Sequence, residues 1–266
     1  METGGTAYYL YCILPQGRLS HLAAGGINGG EVFTRASGNL AAILSEVRVA
    51  DFCGATAEAR LMDLAWVGPR ACQHEAVIEE AMRQSPILPA RFGTLFRSIA
   101  SLDEFLSCQT DRIASFFHWL GDRREWAVKG MVDRARAQTP HSAEGQANTA
   151  DALPGVAYFQ RKRNETSAAK ELNQRLKAIC REVALDLQQA SNGFRERRVV
   201  DPAAGESPSE VIASWAFVLP PAAEEEFRQR LERLNRLHIS TGLAFRLSGP
   251  WPPYSFAPLL ASEGQI

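Results

Sequence analysis

The chain has 266 residues, 45% of them apolar and 22% charged, which suits a soluble globular protein of one large domain or two ordinary ones. A formal net charge of -1 gives no overall field towards nucleic acid or an anionic membrane, and no window approaches the ~20 apolar residues of a spanning helix. Residues 1–5 carry no signal-peptide pattern, and five scattered cysteines without a C-x-x-C read as reduced thiols of a cytoplasmic protein, most of them buried.

Residues 7–14 (AYYLYCIL) form a short apolar, aromatic run closed by Pro15, the pattern of a buried strand. Residues 19–24 leave room for a short helix at most, and the glycine-rich stretch 25–30 is a turn or loop. Two strands follow, 32–36 and 40–47, joined through Ser37-Gly38-Asn39, which is good hairpin chemistry. The region from about 56 to 84 is helical, with an interruption expected at Gly68-Pro69. Its second part brings His74, Val77, Ile78, Ala81 and Met82 onto one face. Pro86 stops that helix and leaves residues 87–96 extended. Ser101 and Glu104 have capping-box spacing and predict a helix starting there, with Leu102, Phe105, Leu106, Ile113, Phe116, Phe117 and Leu120 along its apolar side.

The second half has a clearer order. Residues 125–132 alternate as a strand, and 136–153 form a polar insert, poor in large apolar residues and expected to be mobile. A long helix spans about 155–190, with a stripe at Leu172, Leu176, Ile179, Val183 and Leu187. Then come a strand at 194–200, a loop at 201–209 and a very apolar strand at 211–219. Pro221 opens a helix whose first turn carries Glu224, Glu225 and Glu226, where the dipole favours negative charge. Residues 239–247 close the set. Read in order this is β-α-β-β-α-β, the ferredoxin-like arrangement, and the first half reads as a reduced relative of it. The expected architecture is α+β in two domains, 1–122 and 123–266, the second carrying the insert and a tail at 249–256.

No catalytic or metal-binding constellation emerges. There is no P-loop, no H-E-x-x-H and no G-x-S-x-G, and residues 25–30 lack the G-x-G-x-x-G order. The five histidines lie far apart, and His74 shares its face with Ile78 and Ala81, as a hydrogen-bonded core or interface histidine would. The basic clusters 161–163 and 195–198 read as solvated faces, and 194–200 lacks an RNP1 pattern, so no nucleic acid is expected. No cofactor is implied.

Two features remain. Arg91 sits among apolar residues in 88–96 (LPARFGTLF), where its head needs a carboxylate, backbone carbonyls or solvent. It is either a strut between the strand and the neighbouring helix or a contact for a partner. The second feature is the tail Gly249-Pro250-Trp251-Pro252-Pro253-Tyr254-Ser255-Phe256. Its prolines forbid a regular helix, and its three aromatic residues are costly to leave in water. It must cover the second domain's core or dock on another protein. In a polyproline II conformation Trp251 and Tyr254 share one side, with Trp251 as the anchor.

With these elements in this order, the chain resembles the gas vesicle protein F/L family. The resemblance rests on residues 8–13 (YYLYCI), His74, 87–96 (ILPARFGTLF), 125–129 (EWAVK) and 249–256 (GPWPPYSF), spread over nearly the whole chain. It implies two α+β domains, the second a modified ferredoxin-like one. It also implies a non-enzymatic accessory protein of gas vesicles, in the cytoplasm and at the vesicle, that binds the major shell subunit during assembly, serves as a minor structural component of the vesicle, or both. The partners implied are the major hydrophobic shell protein and other gas vesicle accessory proteins. The candidate partner-binding residues are Arg91, Phe92, Phe96, Trp126, Lys129, Trp251, Tyr254 and Phe256. A binder with exposed sheet edges and aromatic patches could cap the strands of such a subunit. The competing reading is a ligand-sensing regulatory module of paired ferredoxin-like domains, which rests on fold analogy alone.

Overall fold

The computed structural model describes residues 5–137, 154–199 and 210–260. The expected insert from residue 138 onward and the loop at 201–209 lie outside them. The fold is mixed α+β with two antiparallel sheets, and it divides into two units: Met1–Glu125 with Pro250–Ile266, and Trp126–Gly249. The tail therefore belongs with the first unit, not with the second domain where sequence order placed it. The physical reason is that Tyr254 and Phe256 pack among the apolar residues of the first unit.

In the first unit, β1 (Thr6–Pro15), β2 (Val32–Ser37) and β3 (Leu40–Arg48) are followed by α1 (Val49–Phe52), α2 (Ala55–Leu61) and α3 (Leu64–Gln84). Then come the short strands β4 (Leu88–Pro89) and β5 (Leu95–Phe96), and α4 (Ile99–Leu120). The sheet order is β2-β3-β1-β4, and β5 also pairs with β1. β1 is apolar almost throughout because it is covered on both faces. One face packs with Val77, Ile78 and Ala81 of α3, the other with Leu102, Phe105 and Ile113 of α4. A register shift between Leu10 and Cys12 sends both Tyr11 and Cys12 to the α3 face, as a bulge does. The β2–β3 hairpin closes through Gly38, whose φ of 58° needs no Cβ in the way.

Several local expectations shift here. Residues 19–24 are not helical, because the amides of Ser20, Ala23 and Ala24 donate to Gln84 and Glu80 side chains of α3. The helical break falls at Asp63, which caps α3 through the Ala65 amide, while Pro69 sits inside α3 and forfeits one early hydrogen bond. Helix α4 begins one turn earlier than the capping box suggested, with Ser98 as N-cap and Ser101 closing the box. Among the cysteines only Cys12 and Cys180 are buried; Cys72 and Cys108 are exposed.

The second unit continues with β6 (Arg124–Val132), α5 (Arg134–Ala137), α6 (Pro154–Gln189), β7 (Gly193–Glu196), β8 (Glu210–Leu219), α7 (Glu224–His238) and β9 (Leu243–Trp251). The sheet order is β7-β8-β6-β9. Its core joins Val183 and Leu187 of α6, Phe227 and Leu231 of α7, and Trp215, Phe217 and Phe245 of the sheet. Gly130 fits closely there: a Cβ would lie 3.1 Å from both Ala213 and Phe245, so a neighbour would have to give way. Asn235 clamps α7 to β9 by bonding both the amide (2.7 Å) and the carbonyl (2.8 Å) of Phe245. The last strand starts later than expected because Ile239–Thr241 form a 3-10 turn that Gly242 ends in the left-handed region.

Candidate functional site

The sequence segments singled out above meet where the tail docks on the first unit. Tyr9 lies on β1, His74 and Glu75 on α3, Gly93 in the turn between β4 and β5, and Tyr254 in the tail. The Gly93 amide donates to the Tyr9 hydroxyl at 3.0 Å, and that hydroxyl lies 3.0 Å from His74 Nδ1. On the other side of the ring, His74 Nε2 lies 3.2 Å from the Tyr254 hydroxyl, which donates to Glu75 Oε1 at 2.8 Å. Because Tyr254 gives its proton to a carboxylate, its oxygen must accept from Nε2–H, so Nδ1 accepts from Tyr9. The result is one directional chain, Tyr9 to His74 to Tyr254 to Glu75, running from core to surface.

Burial sets the charge states. It lowers His74 from 6.5 to about 4, against the opposing pull of the Ala90 carbonyl. Burial pushes Tyr9 up, with the Gly93 amide opposing, and pushes Tyr254 up, reinforced by the negative charge of Glu75. The Glu75 carboxyl also rises through burial, held back by the Tyr254 hydroxyl. At neutral pH the imidazole is thus uncharged and both phenols keep their protons. Such a set is a poor acid or base, and its chemistry is that of a fastening.

A second fastening lies beside it. Glu125 is fully buried and accepts from the Ser255 amide at 3.0 Å and its hydroxyl at 2.9 Å. Phe256 stacks on Trp119 at 5.6 Å between ring centres, and Arg112 donates to the Leu259 carbonyl at 2.9 Å. The tail is not polyproline II at this point. Pro253 opens a tight turn whose carbonyl accepts from Phe256 and Ala257.

The candidate residues separate by environment. Phe96 and Trp126 are buried in their cores and have no surface to offer, which corrects their assignment as contacts. Phe92, Tyr254 and Phe256 are half-buried against the first unit. Arg91 and Lys129 are exposed, and the Arg91 guanidinium bonds no described residue, so it is not a strut. Trp251, expected to be an anchor either in the chain's own groove or in the shell subunit, is 41% exposed at the end of β9, while Tyr254, Ser255 and Phe256 fasten the tail to the first unit. Tyr9, Glu75, Glu125 and Ser255 are not among the candidate contacts read from sequence, although Tyr9, Glu125 and Ser255 lie in the segments that carry the resemblance. The available signal was polar groups inside otherwise apolar runs.

A family model described as "Gas vesicle synthesis protein GvpL/GvpF" matches residues 7–258. The chain is 28% identical to gas vesicle protein L of Streptomyces sp. (strain CB03234), over 94% of this chain and 90% of that one. It is 26% identical to gas vesicle protein F of Dolichospermum flosaquae, over 79% and 86% of the two chains. In structure it is similar to the gas vesicle protein GvpF crystal structure from Anabaena sp. PCC7120, with a TM-score of 0.71, 20% identity and coverage of 97% and 99%. The GvpF crystal structure from Microcystis aeruginosa gives a TM-score of 0.63 at 19% identity, covering 95% and 99%. These structures share the mixed α+β fold. Among the described residues, no helix is long and apolar enough to cross a membrane.

Proposed function

We propose, from the premise that this chain belongs to the gas vesicle synthesis protein GvpL/GvpF family, that it is a non-enzymatic accessory protein which holds the hydrophobic shell subunit during vesicle assembly. The observation that carries this reading is the extent of the family match, from β1 to the docked tail. The setting would be the cytoplasm and the growing vesicle, with the shell subunit and other gas vesicle proteins as partners.

Physical chemistry supports such a role. A small, very apolar subunit must be kept from aggregating until it joins the wall. Both sheets end in edge strands, β2 in the first and β7 in the second, whose outer backbone groups could pair with an incoming strand. Leu61, Met62 and Leu64 add exposed apolar surface at the α2–α3 junction. The order β7-β8-β6-β9, with α6 and α7 packed in one core, supports reading the second unit as a modified ferredoxin-like domain.

Co-expression of the shell subunit with and without this protein tests the reading. The expected result is a soluble complex of the two in place of a pellet of shell subunit. Equal partition into the pellet in both cases defeats it.

A further inference from the structure

Beside Arg91 the docked tail completes a cleft of about 260 Å³ in the first unit. Its floor is apolar, from Leu10 and Ile13 of β1 and Phe105 of α4, and the tail supplies a wall at Tyr254 and residues 257–260. At roughly 30 Å³ per water this is room for one or two large side chains. Arg91 is the one charged side chain among the residues that line it, and it is exposed and bonded to no described residue. Leu259 stands on the same rim, 74% exposed.

These observations specify an occupant. A guanidinium that bonds no described residue, at the mouth of an apolar cleft, is best matched by a carboxylate, which it can bind through two parallel hydrogen bonds. The cleft itself rewards an apolar side chain. The exposed part of Leu259 at the rim is covered by something that continues past the cleft, which a peptide segment does and a small molecule does not.

We infer that this cleft seats a short segment of the shell subunit in which a large apolar side chain enters the cavity and a neighbouring Asp or Glu pairs with Arg91. The inference rests on the shell-binding reading above and gives it a place. It also supplies a purpose for the fastenings at Tyr254 and Ser255: they hold the tail where it forms the wall. The exposed apolar rim and the cation then act together, as a buried anchor with a charged contact beside it.

The test uses the full chain co-expressed with the shell subunit, measuring how much subunit co-purifies. Arg91→Glu and Leu259→Glu change exposed side chains, so both variants should melt like wild type. Each is expected to lower the retained subunit by about tenfold or more. Acidic residues of the shell subunit, reversed singly to Lys, should include one that reproduces this loss alone and restores binding to Arg91→Glu. If wild type retains the subunit and both variants retain it equally, the cleft is not the seat, while the shell-binding reading stands. Loss in Arg91→Glu with no rescuing reversal overturns the carboxylate pairing. If wild type itself retains none above a control lacking this protein, the functional reading fails and the inference falls with it.

Discussion

The two units solve the same packing problem with different chemistry. The second joins one sheet to α6 and α7 through a single apolar cluster, in which Gly130 lies close against Ala213 and Phe245. The first covers its central strand on both sides, yet threads hydroxyl, imidazole and carboxyl groups through the α3 face. A purely apolar core can be filled in many ways, whereas a buried polar chain must be satisfied by particular partners or it destabilises the fold. Here the last partners come from the tail. The first unit is therefore finished only when the end of the chain returns to it, and the second is not subject to that condition.

The largest expected effect follows from removing the tail. Truncation before Pro250 takes away Tyr254, Ser255 and Phe256, leaves His74 and Glu125 without those partners, and uncovers apolar surface around Trp119. The loss in the first unit should be on the order of 5 kcal/mol or more. Hydrogen-exchange mass spectrometry resolves the units: protection should collapse in β1 and α3 and survive in β8 and α7. A uniform loss in both would break the comparison.

Single substitutions sharpen it. Glu125→Ala removes a buried acceptor of two hydrogen bonds from Ser255, and about 2–4 kcal/mol should be lost, mainly from the first unit. Gly130→Ala overpacks the second unit instead, by about 1–3 kcal/mol. Exchange protection should fall on opposite sides for the two variants.

Acidity separates the units next. The folded His74 has its pKa lowered from 6.5 to about 4, so between those values the unfolded chain takes up a proton that the folded chain refuses. Its share of stability is complete above about pH 6.5 and is lost as pH falls towards 4. Glu75, shifted upward, opposes this, so the net loss is smaller than the roughly 3 kcal/mol that the His74 shift alone would give. Melts of wild type and His74→Gln from pH 7.5 to 4.5 measure the difference. An identical pH slope in the two proteins would remove His74 from the account.

What sequence could convey also differs between the units. α6, α7 and β8 were visible because their apolar periodicity is local, and the same holds for β1 as a strand and for the hairpin at Gly38. The polar chain was not visible as a chain, since its members lie 65 and 180 residues apart. His74 could be recognised as a hydrogen-bonded core histidine, but nothing near it in sequence names Tyr254. Helix starts were misplaced wherever two capping serines or an internal proline offered equivalent local signals, as at Ser98 and Pro69. The turn at Pro253 escaped for a related reason: proline opens turns as readily as it extends a chain.

The smallest expected effect on stability belongs to Arg91. An arginine flanked by Leu88, Pro89 and Phe92 invites the view that it ties strands to a helix, in which case truncation should destabilise strongly. Its guanidinium is instead exposed and bonds no described residue, while the turn it occupies is held by the backbone. The Arg91 carbonyl accepts from the Thr94 amide at 3.1 Å and from its hydroxyl at 2.7 Å, and both bonds survive any side chain at position 91. Arg91→Ala should therefore change stability by less than about 0.5 kcal/mol, as surface substitutions do. The melt should not move, at any pH between 7.5 and 4.5. A drop of several degrees would mean that the side chain supports the turn after all, and that the cation on which the cleft depends is not free to meet a carboxylate.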